Sequence, residues 1–286
     1  MKKEKGEMKK FGLIGRRLGH SYSQEYFTRK FAELGLKDYS YALFELPSVE
    51  GLKEWALREG LSGFNVTVPY KQDVIPQLDA VDEVAAAVGA VNCVTVETSP
   101  STLETRQAAS LQRERGETIR LIGHNTDAPA FQQTLEGEIF DCAYILGTGG
   151  AARAVAYALG RMGVEYKFVS RHPQGVNILS YEQLVEETQQ AASLQSEILI
   201  INATPVGMFP DVDNSPLELN NFQSSIFNFQ FVYDLIYNPS PTLLLRQAAE
   251  RGARTKDGLE MLHRQADLSW EIWKPHPQPL SARRGE

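Results

Sequence analysis

Cysteine is scarce in this chain, and only Cys93 and Cys142 are present, both inside apolar, strand-like runs. Two such residues cannot form the disulfide framework that stabilises small secreted proteins, and no Cys/His cluster has the spacing of a zinc site. No apolar run is long enough to span a bilayer. The lysine-rich N-terminus is not followed by the apolar core of a signal peptide. These absences predict a cytoplasmic protein without a bound metal.

An excess of basic charge is also missing. The formal net charge is -7, and no basic cluster offsets it, which argues against a nucleic-acid-binding surface. The expected partners are therefore small molecules, without nucleic acid or membrane, and both a monomer and a homodimer remain open. At 286 residues the chain is long for one domain and suits two.

Strand-like and helix-like segments alternate along the chain, as in α/β proteins with mostly parallel sheets covered by helices. In the first half, strands are predicted at 11–15 and 39–46, and helices at 21–34 and 49–59. A second series follows, with strands at 142–146, 166–170, 198–202 and 231–236 and helices at 151–162, 181–190 and 259–273.

Residues 97–118 interrupt this alternation, because they are polar and nearly lack large apolar side chains. Such a segment cannot bury enough surface to offset the entropy lost on ordering it. We therefore expect a flexible insertion at 98–118, between strands at 91–96 and 119–123. The proline-containing tail at 275–286 is expected to be disordered.

Residues 63–71 combine an apolar run, which contains Phe64, Val66 and Val68, with Pro69 and then Lys71. The run predicts a strand that is buried at alternating positions. Because Pro69 cannot continue the ladder, the chain must leave the sheet there. Lys71 then lies at the end of a strand, where open α/β sheets have their binding crevices. Its ammonium is either a proton donor or a solvated surface charge.

Residues 147–152 follow a predicted strand and open a predicted helix, with Gly147 and Gly149 at the positions of the dinucleotide-binding fingerprint and Ala152 at the third. Gly147 allows a tight turn, and Gly149 lets the backbone approach a pyrophosphate. The helix N-terminus offers free N–H groups to the phosphates. A glycine-rich turn that only shortens a loop is the alternative.

The type of nicotinamide cofactor depends on the end of the next strand. NAD sites usually have an acidic residue there for the ribose 2′-hydroxyl, but this strand ends at Ser170 and Arg171. The guanidinium of Arg171 suits a 2′-phosphate. The sequence therefore predicts NADP as the cofactor.

The ordered motifs at 19–23, 63–71, 89–92, 123–127 and 147–152 together resemble the shikimate dehydrogenase family. The resemblance runs from about residue 11 to residue 273. It implies an N-terminal α/β substrate domain, a C-terminal Rossmann-type dinucleotide-binding domain and a cleft between them. The implied boundaries are 9–127 with 258–274 for the substrate-binding and catalytic domain, and 128–257 for the NADP-binding domain.

The resemblance also implies a function, the reversible reduction of 3-dehydroshikimate to shikimate with NADPH. Lys71 and Asp127 match the family's catalytic pair, although a helix N-cap would by itself explain an aspartate at position 127. The implied substrate-binding residues are Ser21, Ser23, Asn65, Thr67, Asn92, Tyr237 and Gln265. The implied cofactor-binding residues are Gly147, Thr148, Gly149, Gly150, Ala151, Ala152, Ser170, Arg171, Met208 and Gly258.

Several features depart from the family pattern. The family commonly has a second arginine shortly after the position of Arg171, and this chain has none there, which predicts a weaker preference for NADP over NAD.

Ser21 or Ser23 could instead cap a helix, and Met208 could fill a gap in the core. A quinate/shikimate dehydrogenase that uses NAD and a nucleotide-sensing regulatory protein are the alternative functions. A sensor would not need Lys71 and Asp127 together.

Overall fold

A computed structural model describes residues 8–19, 21–100, 117–193, 196–218 and 231–275. Within these ranges the chain forms two six-stranded sheets with helices on both sides. None of the helices in these ranges is long and apolar enough to cross a membrane. The predicted α/β class, with two domains, is confirmed.

The first sheet is built from the N-terminal strands, in the order β2-β1-β3-β5-β6-β4. Only β5 runs against the other five strands, because it pairs antiparallel with both β3 and β6, so the sheet is mostly parallel as predicted. Its strands are β1 (Lys9–Gly15), β2 (Tyr39–Glu45), β3 (Leu61–Val66), β4 (Ala80–Val81), β5 (Cys93–Pro100) and β6 (Glu117–His124).

Helices cover both faces of this sheet. They are α1 (Tyr22–Glu33), α2 (Leu52–Glu59), α3 (Glu83–Val88) and the C-terminal α8 (Leu259–Trp273). On one face, the aromatic side chains of α1 and α8 pack around Phe11. On the other face, α2 and α3 pack around Phe64 and Val66. The indole N–H of Trp273 donates to the carbonyl of Val94 at 3.1 Å, so α8 returns to the first sheet as predicted.

The second sheet is entirely parallel, in the order β12-β11-β10-β7-β8-β9. Numbered within the domain and read from the β9 edge, this is 3-2-1-4-5-6, the Rossmann order, with its topological switch point between β7 and β10. The strands are β7 (Cys142–Leu146), β8 (Glu165–Val169), β9 (Ile178–Leu179), β10 (Ile198–Asn202), β11 (Phe231–Asp234) and β12 (Arg254–Lys256).

Helices α4 (Asp127–Thr134) and α5 (Gly150–Met162) cover one face of this sheet, and α6 (Tyr181–Ser193) and α7 (Leu243–Glu250) cover the other. Successive residues of β7 show why both faces are apolar. Ile145 packs in the cluster that contains α5, while Leu146 packs in the cluster that contains α6 and α7. A parallel sheet covered on both faces needs such nearly continuous apolar strands.

Three sequence predictions need correction here. The strand predicted through Val68 ends at Val66, and Val68 is 72% exposed. That strand is also buried almost continuously instead of at alternating positions, because it lies inside the sheet between two covered faces. The predicted insertion is shorter at both ends, since Thr98–Pro100 pair with Glu117–Ile119 as an extension of β5 and β6. Residues 101–116 and 276–286 lie outside the described residues.

Candidate active site

Lys71 and Asp127 meet between the two sheets. Lys71 lies in the turn segment that follows β3, and Asp127 is the first residue of α4, separated from β6 by two residues. The Lys71 Nζ is 2.7 Å from the Asp127 Oδ2, and the side chains are 18% and 8% exposed. The two charges are close and mostly shielded from water, so salt screens their interaction less than that of a surface ion pair.

Asn92 holds the other carboxylate oxygen of Asp127. Its Nδ2 donates to Asp127 Oδ1 at 2.8 Å and to the hydroxyl of Thr126 at 2.9 Å, while its Oδ1 accepts from the Thr126 N–H at 2.7 Å. Asp127 therefore accepts from Lys71 and Asn92 and does not cap its helix. Asn125 takes the capping role, because its Oδ1 accepts from the N–H of Ala128.

Asn65 lies in β3 and is buried, and both atoms of its amide group have protein partners. The Nδ2 donates to the carbonyl of Asn92 at 3.1 Å and to the hydroxyl of Ser269 at 3.0 Å, and the Oδ1 accepts from the hydroxyl of Tyr41. Its observed contacts are structural, since they connect the strand to α8. Thr67 follows β3 and is half-buried.

Helix α8 brings Gln265 to the same group. The Asn92 Nδ2 lies 3.5 Å from the Gln265 Oε1, at the limit of hydrogen bonding. One helical turn further on, the hydroxyl of Ser269 lies within 3.3 Å of the hydroxyl of Thr126. Sequence analysis missed Ser269 and Thr126. The i, i+4 spacing of Gln265 and Ser269, which puts both on one helix face, was the available signal.

The two serines lie at the start of α1. Ser21 occupies the N-cap position, but its hydroxyl makes no capping hydrogen bond to the described helix, so capping does not account for it. Ser23 is half-buried in the first turn. Between them, the ring of Tyr22 lies 6.0 Å from that of Tyr237. Burial raises the pKa of Tyr237, so its hydroxyl stays protonated at neutral pH.

The glycine loop fits a dinucleotide in two respects. Gly147 has φ +103°, which disfavours any side chain there, and a β-carbon would also come within a tight 3.0 Å of Thr204 Cγ2. A β-carbon on Gly149 would have no described atom within 4 Å, so the space beside this backbone is open. The first N–H groups of α5 have no partner within the helix and suit a phosphate.

The loop also lies directly against Lys71. A β-carbon on Gly150 would come within 3.2 Å of the Lys71 Cβ and 3.4 Å of the Ala90 Cβ. The start of α5 in the second sheet's domain therefore packs onto the segment that carries the lysine. This contact brings the predicted cofactor loop and the predicted proton donor to one place.

The remaining predicted cofactor residues lie on loops at the carboxyl ends of the strands. Ser170 and Arg171 directly follow β8, with Arg171 exposed and the Ser170 hydroxyl accepting from the N–H of His172. Met208 lies after β10 and is 45% exposed, so it does not fill a core gap. Gly258 caps α8, and a β-carbon there would come within 2.0 Å of the carbonyl oxygen of Leu235, so its observed role is close packing.

The geometry defines a class of protein, a dinucleotide-binding α/β protein with a Lys–Asp pair beside the dinucleotide loop. Residues 13–94 match the family model described as the shikimate dehydrogenase substrate binding domain. A shikimate dehydrogenase (NADP(+)) from Caldicellulosiruptor saccharolyticus is 34% identical over 93% of this chain and 92% of its own length. One from Methanococcus maripaludis is 35% identical over 93% and 91%.

Solved structures agree. The shikimate 5-dehydrogenase of Thermus thermophilus in complex with NADP(H) and shikimate superposes with a TM-score of 0.72, at 32% identity over 93% of this chain and 94% of that one. A shikimate 5-dehydrogenase from Listeria monocytogenes, in complex with shikimate and NAD, has a TM-score of 0.73 at 28% identity, with 94% and 93% covered. The chain belongs to the shikimate dehydrogenase family.

Proposed function

We propose that this chain is an NADP-dependent shikimate dehydrogenase, which reversibly reduces 3-dehydroshikimate to shikimate in the pathway to chorismate and the aromatic amino acids. The observation that carries the proposal is the shielded Lys71–Asp127 pair, 2.7 Å apart, against the Gly150 turn of the dinucleotide loop. The relatives named above, which match over nearly their full lengths, support the same activity.

The proposed division of the chain follows the two sheets. Residues 9–127 with 258–274 form the substrate-binding and catalytic domain, and residues 128–257 form the cofactor domain. The packing of α4 and α5 on one face of the second sheet supports a boundary near Asp127. We place the enzyme in the cytoplasm, and it acts as a monomer or a homodimer.

NADPH, when bound, supplies the hydride that reduces the ketone carbon of 3-dehydroshikimate. The residues present fit this group, with the open space at Gly149 and the N-terminus of α5 for the pyrophosphate. Arg171 would pair with the 2′-phosphate, and Met208 would cover the nicotinamide. Ser170 and the remaining loop residues, Thr148, Ala151 and Ala152, complete this set.

The protein's chemical task is to protonate the oxygen that becomes the new hydroxyl. The Lys71 ammonium is the proton donor, and its charge stabilises the negative charge that develops on that oxygen. Asp127 orients the ammonium through one oxygen and is itself held by Asn92 through the other. In the opposite direction, neutral Lys71 accepts the proton from the shikimate hydroxyl.

The substrate's carboxylate and hydroxyls need short polar donors around the ring. We assign the carboxylate to Ser21 and Ser23, and we place the protonated hydroxyl of Tyr237 at the pocket edge. Thr67, Asn92 and Gln265 are assigned to the ring hydroxyls. Asn65 stays a candidate at the pocket edge, although its amide already bonds to Asn92, Ser269 and Tyr41.

Initial rates of shikimate oxidation with NADP⁺ and with NAD⁺, each repeated with quinate, test this proposal. We expect the highest kcat/KM for shikimate with NADP⁺. Higher kcat/KM with quinate and NAD⁺ would favour the quinate/shikimate alternative. Binding of NADPH without turnover of either acid would favour the regulatory alternative.

A further inference from the structure

Asp234, at the end of β11, is a buried carboxyl group that the mechanism above does not use. It is 0% exposed. Its Oδ1 accepts from the Nδ2 of Asn202 and from the N–H of Ile236, each at 3.0 Å, and its Oδ2 accepts from the hydroxyl of Thr242 at 2.7 Å. Burying a carboxyl group is costly, and these three hydrogen bonds compensate for part of that cost and fix the side chain in one orientation.

The hydrogen bond between Asp234 and Asn202 helps to fix the loop that follows β10 and carries Met208, on the cofactor side of the cleft. Asn202 uses its Oδ1 to accept from the N–H and the hydroxyl of Thr204, at 3.0 and 2.7 Å, and its Nδ2 also contacts the carbonyl of Val206 at 3.3 Å. The side chain of Asn202 therefore shapes the turn that leads to Met208. Asp234 holds that side chain in place.

The hydrogen bond between Asp234 and the Ile236 N–H helps to fix the loop that follows β11 and carries Tyr237, on the substrate side of the cleft. The Ile236 N–H donates to Asp234, and the Ile236 carbonyl accepts from the N–H of Gly258 at 3.1 Å, where α8 begins. Tyr237, placed above at the edge of the substrate pocket, is the next residue. The two loops also touch directly, since the N–H of Phe209 donates to the carbonyl of Asn238 at 3.1 Å.

We propose that Asp234 is a positioning residue, which fixes the Met208 loop and the Tyr237 loop at one separation so that cofactor and substrate meet in a reactive geometry. This inference rests on the proposed function. Hydride transfer depends steeply on the separation and alignment of the two reactants. Because Asp234 bonds to both loops, it sets the separation between cofactor and substrate, which neither loop sets alone.

The variants Asp234→Ala and Asp234→Asn separate positioning from charge. Alanine removes the acceptor for all three donors, so we expect kcat to fall, KM for both shikimate and NADP⁺ to rise, and kcat/KM to fall about tenfold or more. Asparagine keeps the shape, accepts from Asn202 and Ile236 through its Oδ1, and donates to Thr242 through its Nδ2. We expect its kcat/KM to stay within about threefold of wild type.

Thr188→Val is the matched control. Thr188 is also 0% exposed, but among the described residues its hydroxyl bonds within α6, to the carbonyls of Leu184 and Val185. It should lower the melting temperature without changing either KM. An Asp234→Ala variant that behaves the same way, with a lower melting temperature and wild-type kcat and KM, would overturn the inference.

If Asp234→Ala does not fold, Asn202→Ser tests the same connection from the other side. It should raise KM for NADP⁺ more than KM for shikimate, and unchanged values for both would overturn the inference. A titration of NADPH binding, monitored by NADPH fluorescence, distinguishes failure of the inference about Asp234 from failure of the proposed function. A wild type that binds NADPH but turns over no shikimate refutes the function, while weaker NADPH binding by the variant would still support the positioning role of Asp234.

Discussion

Replacing Asp234 by asparagine is expected to stabilise the protein at neutral pH and to have little effect on stability near pH 4. Burial raises the pKa of Asp234 from its ordinary value of 3.8 to about 6, against the lowering effect of its three hydrogen bonds. Between these two values the folded protein binds more protons at this site than the unfolded chain does. The free energy of unfolding therefore falls as the pH rises through that range.

The magnitude follows from the size of the shift. A shift of about two pKa units, at about 1.4 kcal/mol each, lowers the free energy of unfolding by about 3 kcal/mol once Asp234 is ionised, which is above about pH 6. Asparagine resembles the protonated carboxyl group and does not carry this cost. Urea unfolding followed by far-UV circular dichroism, for both proteins at pH 4 and pH 7.5, measures the difference. A stability difference that is the same at both pH values would refute the reasoning.

Three further predictions concern the site and its support. Asp127→Asn should lower kcat about a hundredfold or more, and its double mutant with Lys71→Ala should lose far less than the sum, since the pair acts as a unit; steady-state kinetics on the four proteins measure both. Arg171→Ala should lower kcat/KM for NADPH about tenfold to a hundredfold and leave NADH nearly unchanged, and equal losses would contradict a 2′-phosphate contact. Gly258→Ala should lower stability by about 1–3 kcal/mol or more, because its β-carbon would overlap the Leu235 carbonyl; a thermal melt within 1 °C of wild type would contradict this.

The sequence predicts the second sheet well, because its signals are local. The strand–glycine turn–helix order at 142–162 needs only periodicity and the special backbone of Gly147. The predicted strands 142–146 and 198–202 match β7 and β10. Several elements were missed, among them α3, α4, α7 and the strands β4, β9 and β12. The three strands and α3 have six residues or fewer, which carry too little periodicity for detection.

The first sheet shows where local reasoning fails. The pattern around Val68 looks like one continuous strand, yet the ladder ends at Val66 because pairing partners, and not propensity, set the strand's end. The polar residues at 98–100 and 117–118 were assigned to a flexible insertion, but they form ladder pairs across β5 and β6. Backbone pairing between two polar segments leaves no apolar signal in the sequence.

The proposed catalytic pair was accessible from the sequence only as a joint occurrence of two motifs, 56 residues apart. The network that surrounds it was not accessible. Ser269 and Thr126 are ordinary polar residues in the sequence, and their roles depend on how α8 returns to the first sheet. The same holds for Asp234, whose contacts come from the carboxyl ends of two neighbouring strands.

The most direct test of the central claim is the rate of NADPH oxidation in the presence of 3-dehydroshikimate, measured side by side for the wild type and Lys71→Ala. The account predicts turnover by the wild type and a loss of about a hundredfold to ten-thousandfold in kcat for the variant, with the dissociation constant for NADPH unchanged. A wild type that oxidises no NADPH, or a variant that keeps its kcat and changes only KM, would contradict it.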